Sequence, residues 1–105
     1  MKRISAREAV ALGGSLAIID VREDDEYAIV HVAGSLNIPM SCFADRINQV
    51  PVHAPVYVIC ASGHRSARVA EYLVQCNYDA TNIDGGITAW SGCGGAVVAG
   101  ASVTR

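Results

Sequence analysis

Charge is scarce in this chain. Asp, Glu, Lys and Arg make up 17% of its 105 residues and hydrophobic residues 51%, against roughly 25% charge in an average soluble protein, and so apolar a composition excludes intrinsic disorder. An excess of either sign is missing as well. Eight basic residues against ten acidic leave a net charge of -2, which gives no electrostatic footprint for nucleic acid or for an anionic membrane surface. Close cysteine pairs are absent. Cys42, Cys60, Cys76 and Cys93 stand 18, 16 and 17 residues apart, far from the CxxC spacing of zinc sites and thioredoxin-type motifs, and read as free thiols of a reducing, cytoplasmic compartment. After Lys2 and Arg3 the chain runs into Ser5, Arg7 and Glu8 instead of an apolar stretch, so no secretory signal is expected. One uncharged run has the length of a membrane span, Gly85 to Thr104, but its six glycines, two serines and two threonines exclude it as one.

What is present is a rhythm of short apolar runs alternating with helical patterns, with no repeat and no linker. The length fits one domain over residues 1–105, and the rhythm is that of α/β proteins built on a parallel sheet. Ser5 and Glu8 have the spacing of a capping box, opening a helix that Gly13 and Gly14 would close. Leu16 to Asp20 reads as a strand buried on both faces. Glu23, Asp24, Asp25 and Glu26 suit the first turn of a short helix and are taken as a solvated face, not as part of an active site. Leu36 to Ile38 reads as a short strand stopped by Pro39, and Cys42 to Val50 as a helix ending before Pro51. Val56 to Ile59 is the clearest strand. Val69, Ala70, Leu73 and Val74 recur at helical spacing within Ser66 to Cys76, with Asn77 placed to end that helix in the left-handed region. A last strand over Ala80 to Ile83 leads to Gly85, Gly86 and a short helix carrying Ile87 and Trp90. The remainder reads as a glycine-broken tail.

The distinctive chemistry lies where the strand Val56 to Ile59 hands over to the next helix, in Cys60, Ala61, Ser62, Gly63, His64, Arg65 and Ser66. Parallel sheets place their sites at this end of the strands. A cysteine there faces the unpaired N–H groups of a helix start, which favour the thiolate and lower its pKa. Gly63 lets the loop turn successive N–H groups inward as a nest for oxyanions. His64, Arg65 and Arg68 place positive charge against the helix dipole, at a cost of about 0.3–1 kcal/mol each, and so call for a compensating anion. Arg65 can offer a bidentate fork to an oxyanion, whereas Arg68 is expected to pair with Glu71 one turn on. Cys42, Cys76 and Cys93 head no such loop and read as structural thiols.

These residues resemble the single-domain rhodaneses of the thiosulfate sulfurtransferase family. Asp20-Val21-Arg22-Glu23 with Glu26-Tyr27 is similar to the family's first signature, and His31 to Pro39 to its second. Cys60 to Ser66 resembles the active-site loop, and Asn82 to Ile87 with Ala89-Trp90 the closing signature. The resemblance runs from Ile4 to Gly100, so the domain core is expected over about residues 4–100. Ala33 and Ala96 stand where the family often has proline, outside the catalytic loop.

The resemblance implies a five-stranded parallel sheet flanked by helices on both faces. It implies that Cys60 is the catalytic nucleophile and carries a persulfide, while Ala61, Ser62, Gly63, His64 and Arg65 bind an anionic donor. No metal or organic cofactor is required. The expected reaction moves the sulfane sulfur of thiosulfate or a similar donor to cyanide or a thiol. The alternative is a relay module that delivers sulfur to a partner, such as a thioredoxin-like or other sulfur-acceptor protein. Phosphatases and arsenate reductases share the fold but carry a longer loop in the phosphatase case, five residues between cysteine and arginine where sulfurtransferases have four, and the four here are Ala61 to His64. Of the remaining motif residues, His31 is expected to be a hydrogen-bonded structural histidine and Trp90 a packing residue. Asp20 and Asp84 are expected to tie down nearby backbone N–H groups.

Overall fold

A strand buried on both faces must alternate its side chains between two separate cores, and the central strands do so. In the computed structural model, which describes residues 1–100, Ile19, Val56 and Val58 enter one hydrophobic cluster while Ile18, Ile59 and Ile83 enter the other. The strands are β1 (Lys2–Ser5), β2 (Ala17–Asp20), β3 (Val30–Val32), β4 (Leu36–Asn37), β5 (Val56–Ile59), β6 (Ala80–Asp84) and β7 (Val97–Ala99). Five of them form one sheet in the order β1-β6-β5-β2-β4, and every pairing in it is parallel.

Among the described residues there are four α-helices: α1 (Ala6–Leu12), α2 (Asp24–Ile29), α3 (His64–Gln75) and α4 (Gly86–Gly92). α3 buries Ser66, Val69, Ala70 and Leu73, one stripe at helical spacing, against the face that also holds Phe43 and Val50. α1 and α4 cover the opposite face with Ala6, Ala9, Ile87 and Trp90. The α/β architecture with a five-stranded parallel sheet and helices on both faces is therefore the one the sequence implied. Local signals also hold: Ser5 and Glu8 form the capping box of α1, and Asn77 follows α3 with a left-handed φ of 69°. Trp90 is buried and donates its indole N–H to the Ala96 carbonyl at 3.1 Å.

Four elements differ from expectation, one of them β3, over which no strand was expected. β1 was not foreseen, because Lys2, Arg3 and Ser5 are exposed on an edge and show no strand alternation; its register is set by β6, about eighty residues away, with Arg3 opposite Asn82. The Cys42 to Val50 helix is instead two 3-10 turns, Met40–Cys42 and Ala44–Gln49. The glycine-broken tail contains β7, which pairs antiparallel with β3 in a separate two-stranded ribbon. The last residues of the expected domain, 101–105, lie outside the described residues, as does the end of the run excluded as a span. Among the described residues no helix is long and apolar enough to cross a membrane.

A buried ion pair closes the C-terminal end of β2. Asp20 accepts the Arg22 backbone N–H at 2.9 Å, as a strand-end acid should, and takes the Arg22 guanidinium at 2.9 and 3.1 Å. The same guanidinium donates to the Val30 carbonyl at 2.6 Å, tying β2 to β3 across α2. Asp84, by contrast, holds the side chains of Arg3 and Asn82. With Asp20 fully buried, its truncation strands a buried cation, which costs about 3–5 kcal/mol. Asp20→Ala is accordingly expected to lower unfolding free energy by about that amount in urea titrations; a loss under about 1 kcal/mol would show that Arg22 finds compensation elsewhere.

Candidate active site

The loop from Cys60 to Gly63 connects β5 to α3, and its backbone groups point in two directions. Three of its carbonyls accept hydrogen bonds. Cys60 O accepts the Ile87 N–H at 2.8 Å, and Ala61 O accepts the N–H and hydroxyl of Thr88 at 3.2 and 3.1 Å, both from the first turn of α4. Gly63 O accepts the Ala67 N–H at 3.3 Å and the Asn82 side-chain amide at 3.4 Å. The N–H of the Ser62–Gly63 peptide points the other way and donates to Cys60 Sγ at 3.1 Å. The buried Ser66 hydroxyl, on the first turn of α3, donates to the same sulfur at 3.3 Å.

Two glycines make this arrangement possible. Gly63 has a φ of 105°, closed to most side chains, and it approaches the backbone of Asp84 and Gly85. Gly86 lies so close to the loop that a Cβ there would run into the carbonyls of Cys60 and Ala61. Close approach, more than turn geometry, is what Gly86 provides.

Electrostatics follow from the same contacts. Burial pushes the Cys60 thiol up, since its residue is only 1% exposed; hydrogen bonds from the Ser66 hydroxyl and from the N–H groups of Ser66, Gly63 and Ser62 outweigh it. The net pKa lies below the ordinary thiol value, as the loop's sequence suggested. Ser66 is the residue that sequence reasoning passed over. It stood within the motif, but its side chain was not assigned, although position 66 on a helix starting at 64 places it over Cys60.

The remaining expected residues divide. Ala61 and Ser62 lie in the loop, and Ser62 Oγ is 3.2 Å from His64 Nδ1. Arg65 does not present a free fork: its two terminal nitrogens donate to the two carboxylate oxygens of Glu26 at 2.7 and 2.9 Å. The acidic cluster read as a solvated face thus contributes a residue to the site's frame. Position 26 lies thirty-nine residues before Arg65, and neither helix pattern hints at the pairing. The pair with Arg65 first, and the Glu23 N–H second against a burial penalty, bring the Glu26 pKa down to about 2. Arg68 makes no ion pair with Glu71; the expected pair is not formed, and Arg68 lines a hollow with Met40, Phe43, Ala44, Val69 and Tyr72. His31 is buried, stacks on Tyr27 at 3.7 Å between ring centroids, and lies 2.9 Å from the Tyr27 carbonyl through Nδ1, so it is structural. All four cysteines are free. No group of three or more His, Cys, Asp or Glu side chains among the described residues is arranged to hold a metal ion.

A profile of the rhodanese-like domain matches residues 4–93. The chain belongs to the rhodanese family. It is 35% identical over 91 residues to the thiosulfate sulfurtransferase GlpE of Pseudomonas entomophila, an alignment covering 85% of this chain and 84% of that protein. The putative sulfurtransferase YtwF of Bacillus subtilis is 31% identical over 86 residues, 82% of this chain and 84% of that one. Among solved structures, a rhodanese-related protein of Thermoplasma volcanium superposes with a TM-score of 0.88 at 32% identity, covering 93% of this chain and 98% of the other. Named sulfurtransferases are thus among this chain's relatives in sequence, and rhodanese-related proteins among its relatives in fold.

Two predictions follow from the contacts at the loop. Removing the Ser66 hydroxyl takes one donor from the thiolate, worth about 0.5–1.5 kcal/mol. The pH midpoint of Cys60 alkylation by iodoacetamide should consequently rise by up to about one unit in Ser66→Ala relative to wild type; an unmoved midpoint would leave the lowering to the backbone alone. Glu26 yields a linkage effect. Its folded pKa is depressed, so its contribution to stability is complete above its unfolded value near 4.5 and is lost as pH falls toward about 2. The stability difference between wild type and Glu26→Gln, followed by thermal melts, should shrink across that acid window; a difference independent of pH would contradict the pairing.

Proposed function

We propose that this chain is a sulfurtransferase that works through a persulfide on Cys60, taking the sulfane sulfur of thiosulfate or a similar donor. The observation that carries this reading is the convergence of the Gly63 N–H and the Ser66 hydroxyl on the buried Cys60 sulfur. Donors aimed at a sulfur, in a site that excludes water, favour the thiolate and then the persulfide anion that replaces it. Cys60 attacks the outer sulfur of thiosulfate, the donor's S–S bond breaks, and the electron pair leaves with sulfite. In the second half-reaction cyanide or a thiol attacks the terminal sulfur and Cys60 departs as thiolate.

Membership of the rhodanese family and the kinship with GlpE support this chemistry. So does the loop: four residues between Cys60 and Arg65 leave a small ring of N–H donors, better matched to one sulfur than to a phosphate with three oxygens. Ala61, Ser62, Gly63 and His64 form the wall against which the donor's oxyanions sit. Arg65 holds the end of that wall through Glu26. A cytoplasmic setting suits an enzyme whose nucleophile must be a free thiol between turnovers.

The test is turnover of thiosulfate and cyanide to thiocyanate by single-cysteine variants. Cys60→Ser should lose all activity, whereas serine at Cys42, Cys76 or Cys93 should leave most of it. Activity surviving in Cys60→Ser would remove the mechanism.

A further inference from the structure

Glu26 decides how much positive charge a donor meets at this site. Its carboxylate is held independently of Arg65, because Oε1 also accepts the Glu23 N–H at 3.0 Å in the capping box of α2. The Glu26 side chain is thus in place before it meets Arg65, and it engages both terminal nitrogens of the guanidinium. Of the other nearby guanidinium groups, one is paired and one lies further off. Arg22 is spent on Asp20 inside the protein, and Arg68 lies a turn further along α3, in the hollow against Met40 and Phe43. The Arg22 and Arg65 charges are thus each offset by a carboxylate, and the hydrogen bonds that reach the Cys60 sulfur come from an N–H and an O–H dipole.

Such dipoles carry no net charge, so each further negative charge brought beside the thiolate adds repulsion that no free cation offsets. When the thiolate attacks thiosulfate, the charge of the thiolate and the two charges of the donor must share the loop until sulfite departs. A thiosulfonate, R–SO2–S−, delivers the same outer sulfur with one charge fewer: the Cys60 sulfur bonds to it, the S–S bond breaks, and the pair leaves with the sulfinate R–SO2−. A protonated alkyl persulfide carries less charge still, and its pair leaves with the alkyl thiolate. We propose that Glu26 is a specificity-determining residue which, by masking Arg65, turns the site toward sulfane donors of low charge, thiosulfonates and persulfides, and away from the thiosulfate dianion. This inference rests on the sulfurtransferase reading of Cys60 and names its donor class.

Glu26→Gln is the informative variant, since the amide keeps an oxygen for the Glu23 N–H and removes only the charge. Thiosulfate and methanethiosulfonate, each with cyanide as acceptor, give kcat/KM for two donors that differ by one charge. Unmasking Arg65 should raise the thiosulfate-to-methanethiosulfonate ratio about tenfold at low salt, and added salt should diminish the rise. Arg65→Gln, which unmasks Glu26 instead, should move the ratio the other way, and it carries the test alone if Glu26→Gln does not fold. A purely structural role would change both donors by the same factor, and an unchanged ratio in the folded variants would overturn the inference while leaving sulfur transfer intact. Wild-type protein that turns over neither donor would remove the sulfurtransferase reading and this inference with it.

Discussion

Everything at this site depends on which way four peptide groups face. The loop after β5 can aim N–H groups at the Cys60 sulfur only if its carbonyls are satisfied on the other side, and the first turn of α4 supplies those partners through Ile87 and Thr88. A buried carbonyl without a partner would cost about 1–3 kcal/mol, enough to turn a loop peptide over and to set an oxygen where the sulfur needs a hydrogen. The glycine at position 86 matters for that reason: any side chain would push α4 off the loop. The electrostatics around the Cys60 sulfur thus rest on a packing contact between two stretches of backbone.

The sheet serves the same end. Parallel β6, β5 and β2 bring three strand ends to one end of the sheet, where Asp84, Cys60 and Asp20 follow one another across neighbouring strands. Asp20 neutralises Arg22 there without solvent, and Asn82 holds Asp84 at 2.8 Å while reaching the Gly63 carbonyl. The loop is therefore braced from β6 as well as from α4. A site so tightly framed is preorganised, so the proposed passage of charge from a thiolate to a persulfide would need little rearrangement.

How much of this was legible in the sequence depended on range. Signals carried by neighbours in the chain were readable: the capping box of Ser5 and Glu8, the twofold buried run Leu16 to Asp20, the helical stripe through Val69 and Leu73, and the cysteine placed before Gly63 at a helix start. Interactions between distant segments were not. β1 is a strand only because β6 pairs with it, and β7 only because β3 does, so neither carries a pattern of its own. Phe43, Ile47 and Val50 recur at helical spacing and pack on one core cluster, yet this stretch tightens into 3-10 turns. Arg65 and Glu26 looked like a substrate ligand and a solvated acid, because nothing local distinguishes a free charge from one whose partner arrives with the fold.

The central claim is that these inward donors make Cys60 a sulfur carrier. The most direct measurement is the intact mass of the protein after incubation with a sulfane donor, with the modified residue located by peptide mapping. A gain of one sulfur atom on Cys60, released by cyanide, is the expected result. An unchanged mass, or a gain that persists in Cys60→Ser, would contradict it.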